Sequence, residues 1–201
     1  MKQDQHIVLH GLAIKKYATA EAISGIMGID QSRVTSLLAD AVTRGYAIEA
    51  RGKFSLTPLA RIALDSDYSR HCGDLRENED FVRLYESFEV VNSSLKALIT
   101  EWQVVAIAGE HVPNDHSNKA YDNQIIERLG DLHERAERVL TQFATHLPRL
   151  LIYCDKLLSA CEKAEDGAIE WVSDATIESY HTLWFELHED LLRMLGRTRV
   201  D

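Results

Sequence analysis

The clearest structural signal in the chain lies in residues 30–61, DQSRVTSLLADAVTRGYAIEARGKFSLTPLAR. Asp30 is a favourable helix N-cap, because its carboxylate can accept hydrogen bonds from the exposed amides of the following turn. The apolar residues that follow recur at helical spacing and would form one buried stripe: Val34, Leu37, Leu38, Ala41 and Val42. This pattern predicts an amphipathic helix from Gln31 to Thr43. Two short alternating segments on either side of residues 51–53 then predict a β-hairpin.

The outward face of the predicted helix is polar and carries one cation. Its residues are Gln31, Ser32, Arg33, Thr35 and Ser36. Short polar groups and an arginine at a helix N-terminus can contact base edges and phosphates in the major groove. Arg51 and Lys53 lie at the tip of the predicted hairpin, where cations can meet phosphates or the minor groove. The sequence therefore predicts an interface for double-stranded DNA.

Two further helices are predicted upstream of this region, at residues 7–17 and 19–26. Another helix is predicted to begin at Pro58, after the hairpin. This order of elements, with RGYAIEARGKFSLTPLAR at residues 44–61, resembles the bacterial winged helix-turn-helix regulators of the MarR-like type. The resemblance covers about the first third of the chain. It implies that residues 31–43 enter the DNA groove and that the hairpin is the wing. The N-terminal dimerisation helix typical of that family would be missing, because only six residues precede the first predicted helix.

The charge of the chain is divided unevenly. The formal net charge is -10, yet residues 1–70 hold 9 Lys or Arg against 7 Asp or Glu, and residues 71–201 hold 13 against 25. The first segment is thus at +2 and the second at -12. A mildly positive head on an acidic body favours phosphate contact by one local surface over non-specific wrapping of nucleic acid.

The remaining two thirds of the chain are predicted to be helical. After a polar connection at residues 65–78, apolar side chains recur at alternating spacings of three and four, first from Phe81 to Val105. A polar loop at 109–118 interrupts the pattern. Pro148 could kink one long helix or open a new one, and the cost of about 3 kcal/mol for an interior proline favours a turn near His146. The predicted fold class is mostly α, with a winged helix at residues 1–70 and an antiparallel four-helix bundle at residues 74–197.

Several aromatic and histidine side chains of the bundle could line an effector pocket. They are Trp102, His116, Tyr180, His181, Trp184 and His188. The simpler alternative is that the histidines and tryptophans belong to an ordinary core or surface. The loop around His116 is equally typical of a helix N-cap.

No catalytic, metal or cofactor site is predicted from the sequence. Glu178-x-x-His181 has the spacing of a di-iron ligand pair, but a di-iron bundle needs a second copy and two further inward glutamates. The three cysteines lack Cys-x-x-Cys spacing, which favours buried thiols over a disulfide framework or a thiolate zinc site. With no membrane span or signal-peptide pattern, the sequence predicts a cytoplasmic protein without a membrane partner.

These observations favour a homodimeric transcriptional regulator, since bacterial operators are usually pseudo-palindromic and two DNA-binding heads must be held together. The bundle is the predicted dimerisation element and could also bind a small effector. The alternative is a winged-helix module that binds a protein partner and not DNA. A third class, an enzyme that uses the histidine-bearing bundle, would contain stoichiometric metal.

Overall fold

The computed structural model describes residues 1–107 and 109–199. Within this part of the chain it contains eight α-helices and two antiparallel hairpins. The helices are α1 (Gln3–Lys15), α2 (Ala20–Met27), α3 (Gln31–Thr43), α4 (Pro58–Glu77), α5 (Glu79–Gln103), α6 (Lys119–His146), α7 (Leu151–Glu165) and α8 (Tyr180–Leu195). The strands are β1 (Ala47–Ala50), β2 (Lys53–Leu56), β3 (Val104–Ile107) and β4 (Glu110–Pro113). The prediction of a mostly helical protein with a small antiparallel sheet after the N-terminal helices is confirmed.

The chain divides into two compact units, Met1–Val82 with Glu186–Asp201, and Arg83–Phe185. Both divisions fall inside helices, near the start of α5 and in the middle of α8. The second half of α8 therefore belongs with the N-terminal helices. Arg76 of α4 donates from Nε to the carbonyl of Met194, 2.7 Å away, and so joins α4 to the end of α8 within the first unit.

The first unit assembles around α1. Helices α2, α3 and α4 and strand β2 all pack against it. Thr19 caps α2 by accepting from the amide of Ala22, and Asp30 caps α3. In the hairpin, Ala47 pairs with Leu56 and Ala50 with Lys53. A bridge from Ala18 to Phe54 connects the hairpin to the α1–α2 linker, so α3 and the hairpin are fixed to the same core.

Two expectations about this unit are wrong. Helix α1 begins at Gln3 and not at residue 7, so the premise that six residues precede it fails. The segment predicted as a polar connection is most of α4, which runs unbroken to Glu77. Its buried residues Leu64, Tyr68 and Cys72 recur every four positions. Such a narrow stripe is enough to hold a helix against a core although most of the segment is polar.

In the second unit, α6 ends at His146 and a short 3-10 helix begins at Pro148, which confirms the predicted turn. Helix α7 follows directly and packs along α6. The predicted helical seam through Val105 is wrong, because α5 ends at Gln103 and residues 104–107 pair with residues 110–113 as a hairpin. Two adjacent β-branched valines at 104 and 105 favour a strand over a helix. Among the described residues, no helix combines the length and the apolar character needed to cross a lipid bilayer.

The core of the first unit gives a matched test of this packing. Leu38 of α3 is fully buried, whereas Leu59 of α4 is 57% exposed. We expect Leu38→Ala to lower the free energy of unfolding by about 2–5 kcal/mol, because it removes buried methyl groups and leaves a cavity. Leu59→Ala should change it by less than about 0.5 kcal/mol. Urea denaturation followed by circular dichroism measures both, and equal effects would contradict this packing.

Candidate nucleic-acid interface

Helix α3 presents one apolar and one polar face. Val34, Leu38 and Ala41 are fully buried on the side that packs against α1 and α2. All five side chains predicted to contact DNA from this helix are exposed: Gln31, Ser32, Arg33, Thr35 and Ser36. The structure therefore leaves the first two turns of α3 open to solvent and lined by hydrogen-bonding groups.

The N-terminus of α3 is capped by its own chain. The carboxylate of Asp30 accepts from the amides of Ser32, at 2.9 Å, and Arg33, at 3.2 Å, and from the Ser32 hydroxyl. The Ser32 hydroxyl and these two amides hold the pKa of Asp30 below its usual range. Because a carboxylate already occupies two of the first-turn amides, they are not open to a phosphate. Contact with a nucleic acid at this end would therefore rely mainly on side chains.

Two arginines, Arg33 on α3 and Arg44 directly after it, are paired with acidic neighbours. Arg33 donates from Nη2 and Nε to Asp4 Oδ2 of α1, at 2.9 and 3.2 Å. Arg44 donates from Nε to Asp40 Oδ1 at 3.0 Å. Both pairs lie at the surface, where an ion pair contributes at most about 1 kcal/mol. A phosphate can therefore replace the carboxylate partner of Arg33 at small cost.

The tip of the first hairpin is cationic and firmly anchored. Arg51 and Gly52 have φ values of 53° and 74°, as a tight two-residue hairpin turn requires. Lys53 Nζ lies 5.3 Å from the ring centroid of Tyr17, and the Tyr17 hydroxyl donates to the Ala50 carbonyl at 2.9 Å. Arg51 and Lys53 are both exposed. The left-handed backbone conformation of Arg51 costs more free energy for an arginine than it would for a Gly or an Asn at the same position.

The predicted effector residues fall into separate groups, five of them in the second unit and His188 in the first. The ring of Trp102 packs 4.4 Å from that of His116. His116 Nδ1 lies 3.2 Å from the carboxylate of Asp122, and the Asn114 amide donates to that carboxylate and to the Trp102 carbonyl. This network fixes the loop that precedes α6 and satisfies the polar groups of the loop from within the chain.

Tyr180 and Trp184 belong to an aromatic core. Trp184 stacks on Phe88 with 4.8 Å between the ring centroids and donates from Nε1 to Asn92 Oδ1 at 2.9 Å. Tyr180 is fully buried, and burial raises its pKa well above the usual value. His181 is half-buried, and His188 is buried in the part of α8 that belongs to the first unit. Effector binding by these six residues stays a prediction.

A buried polar network in the first unit was not predicted from the sequence. His10 of α1 lies with Nε2 2.8 Å from Asp190 Oδ1 of α8 and with Nδ1 2.6 Å from the Tyr68 hydroxyl of α4. Next to it, burial and the neighbours His10 and His71 lower the pKa of His6 to about 4, so the His6 imidazole is neutral at pH 7. The sequence feature that could have indicated this network is the spacing of His6 and His10, which lie four residues apart and so on one helix face.

The Trp184–Asn92 contact is testable because both residues are buried. We expect Asn92→Ala to lower the free energy of unfolding by about 1–3 kcal/mol, since it leaves a buried indole N–H without an acceptor. The neighbouring exposed Ser93 provides the control, and Ser93→Ala should have little effect. Urea denaturation followed by tryptophan fluorescence measures both variants. An unchanged stability of Asn92→Ala would show that this hydrogen bond does not hold the aromatic core.

Comparison with known proteins finds no matching family model, no matching curated protein and no matching solved structure. A function for this chain must therefore be inferred from its residues and their geometry.

Proposed function

We propose that the first unit is a winged helix-turn-helix module that binds double-stranded DNA, and that the protein is a cytoplasmic transcriptional regulator. Helix α3 is the groove-contacting helix in this proposal, and the hairpin β1–β2 is the wing. The observation that supports it best is the exposed polar face of α3, in the same unit as a cationic hairpin tip at Arg51 and Lys53. Polar side chains suit base edges, and cations suit the phosphate backbone.

The way the hairpin is anchored also supports this proposal. Sequence readout requires that the groove-contacting helix and the phosphate-contacting groups keep a constant spacing. The Ala18–Phe54 bridge and the Tyr17–Ala50 hydrogen bond tie the hairpin to the segment after α1, and α1 packs against α3. Both elements thus rest on one helix.

The charge of this surface explains why two copies are needed. Residues 1–70 carry a net charge of only +2, and Arg33 and Arg44 are paired with Asp4 and Asp40, so one copy gains little free energy from counterion release. Two linked heads on one duplex bind much more tightly than one, because the second contact becomes intramolecular. We place dimerisation in the helices of residues 74–197, arranged as an antiparallel four-helix bundle. A small effector bound by this bundle would act by changing the spacing of the heads.

A protein-interaction module is the alternative, and one observation favours it. Five large hydrophobic side chains of the described part of the first unit are exposed, and the three most exposed are Ile48 on β1 and Leu59 and Ile62 on α4, with Ile62 71% exposed. Exposed apolar groups of this size suit a protein surface better than DNA. A stoichiometric protein partner recovered together with absent DNA binding would favour this alternative.

The first test removes one cation from each element of the proposed interface. We expect the double variant Arg33→Ala, Lys53→Ala to bind DNA from upstream of its own coding sequence at least about tenfold more weakly. The dependence of log K on log salt should also become less steep by about 1 for each phosphate that the variant no longer neutralises. Fluorescence anisotropy between about 50 and 200 mM salt measures both quantities.

The matched control for this test is Arg135→Ala, Arg138→Ala. It removes the same number of cations from exposed positions on α6. If the two double variants weaken DNA binding equally, the interface is not at α3 and the hairpin. If the unchanged protein shows no salt-dependent DNA binding, the proposed function is wrong.

The second test releases Arg33. Asp4→Asn removes the carboxylate that holds the guanidinium and one negative charge beside α3. We expect roughly two- to fivefold tighter DNA binding, since a surface ion pair of this kind contributes at most about 1 kcal/mol. Asp131→Asn on the exposed face of α6 removes the same charge elsewhere and should leave the affinity unchanged. Weaker binding by Asp4→Asn would mean that the Asp4–Arg33 pair orients Arg33 for DNA.

A further inference from the structure

Three potential metal ligands meet between α1 and α4 in the first unit. They are His6 of α1 and Asp67 and His71 of α4, and their nearest ligand atoms all lie within 4.8 Å of one another. Asp67 Oδ2 is 3.0 Å from His71 Nε2 and 3.5 Å from His6 Nδ1. Asp67 and His71 are four residues apart, so their side chains lie on one face of α4.

The three ligand atoms, His6 Nδ1, Asp67 Oδ2 and His71 Nε2, are buried, and none makes a well-aligned hydrogen bond to another described residue. They face one another instead, and both imidazoles lie at ion-pair distance from the Asp67 carboxylate. The contacts between them are short, but they lack the alignment of hydrogen bonds. A buried polar atom without a partner costs about 1–3 kcal/mol, and native proteins keep few of them. Here three such atoms converge on one place, which is the arrangement expected of side chains that share one cation.

The two separations that include Asp67 are close to those between ligands of a small cation. Zinc binds histidine nitrogen and carboxylate oxygen at about 2.0–2.2 Å, which places the ligands of a tetrahedral site about 3.3–3.6 Å apart. The two separations that include Asp67, 3.0 and 3.5 Å, are close to this range. The two imidazole nitrogens lie within 4.8 Å of each other and would need to approach by up to about 1 Å to share one ion. Two imidazoles and one carboxylate suit first-row transition metals, whereas Mg²⁺ and Ca²⁺ prefer oxygen ligands alone.

The surroundings hold the ligands in place. The His6 ring contacts the edge of Tyr68, with 5.0 Å between centroids, and stacks against His71 at 4.3 Å. The second carboxylate oxygen of Asp67 accepts from the amino group of Met1 at 3.2 Å, which leaves Oδ2 to face the imidazoles. Hydrogen bonds to the outer atoms of ligands are typical of metal sites, because they orient the ligating atoms.

We propose that His6, Asp67 and His71 bind one divalent first-row transition metal ion, such as Zn²⁺, and leave a fourth coordination position for water or another ligand. Three protein ligands with an open position distinguish this arrangement from a closed structural zinc site. The ion would cross-link α1 to α4. It would therefore stabilise the first unit in proportion to the logarithm of metal concentration above its dissociation constant.

The test uses the full chain, stripped of metal with a chelator and dialysed, in a buffer without DNA, so its outcome is independent of the proposed function. Titration with ZnCl₂ in a calorimeter should give one ion per chain. Each of His6→Asn, Asp67→Asn and His71→Asn should weaken binding by more than about 100-fold, since the loss of even an orienting group costs 10–100-fold. Circular dichroism of the metal-free variants confirms that they are folded.

Two controls make the result decisive. His111→Asn removes an exposed imidazole from β4 and should leave the stoichiometry and affinity unchanged. Co²⁺ in place of Zn²⁺ should give the intense visible absorption of a four-coordinate site, and His71→Asn should abolish it. Binding that persists in all three ligand variants, or that disappears in His111→Asn, would overturn the assignment. So would a metal-free chain that takes up no Zn²⁺.

Discussion

The architecture of the first unit depends on the burial of α1 along nearly its whole length. Its buried residues include an unbroken run from Val8 to Ile14 as well as Gln5 and His6. A helix with no solvent-facing side must be covered on every side, and this requirement brings α2, α3, α4, β2 and the second half of α8 against it. Because α1 also carries polar groups into this interior, those groups need partners there. His10 finds them in Tyr68 and Asp190, and Asp190 is 0% exposed.

Local patterns were sufficient to predict α3, the first hairpin and the turn at Pro148. In each case the signal is contained in neighbouring residues: an Asx cap before an amphipathic stripe, a tight turn between alternating segments, and a proline that cannot stand inside a helix. The exposure of the five polar residues of α3 followed from the same stripe. Whether these residues bind DNA cannot be read from the stripe, because a polar helix face is also an ordinary solvated surface.

What sequence reasoning missed depends on contacts between distant segments. Residues 65–78 are mostly polar, and their helix is stabilised by a narrow stripe of apolar side chains. This stripe is buried only when α1 packs against it. His6 precedes the predicted start of the first helix, so the sequence pattern alone does not bring it together with Asp67 and His71. The polar partners of His10 lie 58 and 180 residues further along the chain. A pattern within a short stretch of sequence cannot identify partners at these distances along the chain.

The first turn of α1 carries two side chains that contact different neighbouring helices. Asp4, which holds the guanidinium of Arg33, and His6, whose imidazole faces Asp67 and His71, are only two residues apart on this turn. A helical turn moves nearly as a rigid body, so a shift that brings His6 closer to α4 also displaces the carboxylate that restrains Arg33. The guanidinium of Arg33 is thereby coupled, through one turn of backbone, to the cluster of His6, Asp67 and His71 on the opposite side of the helix.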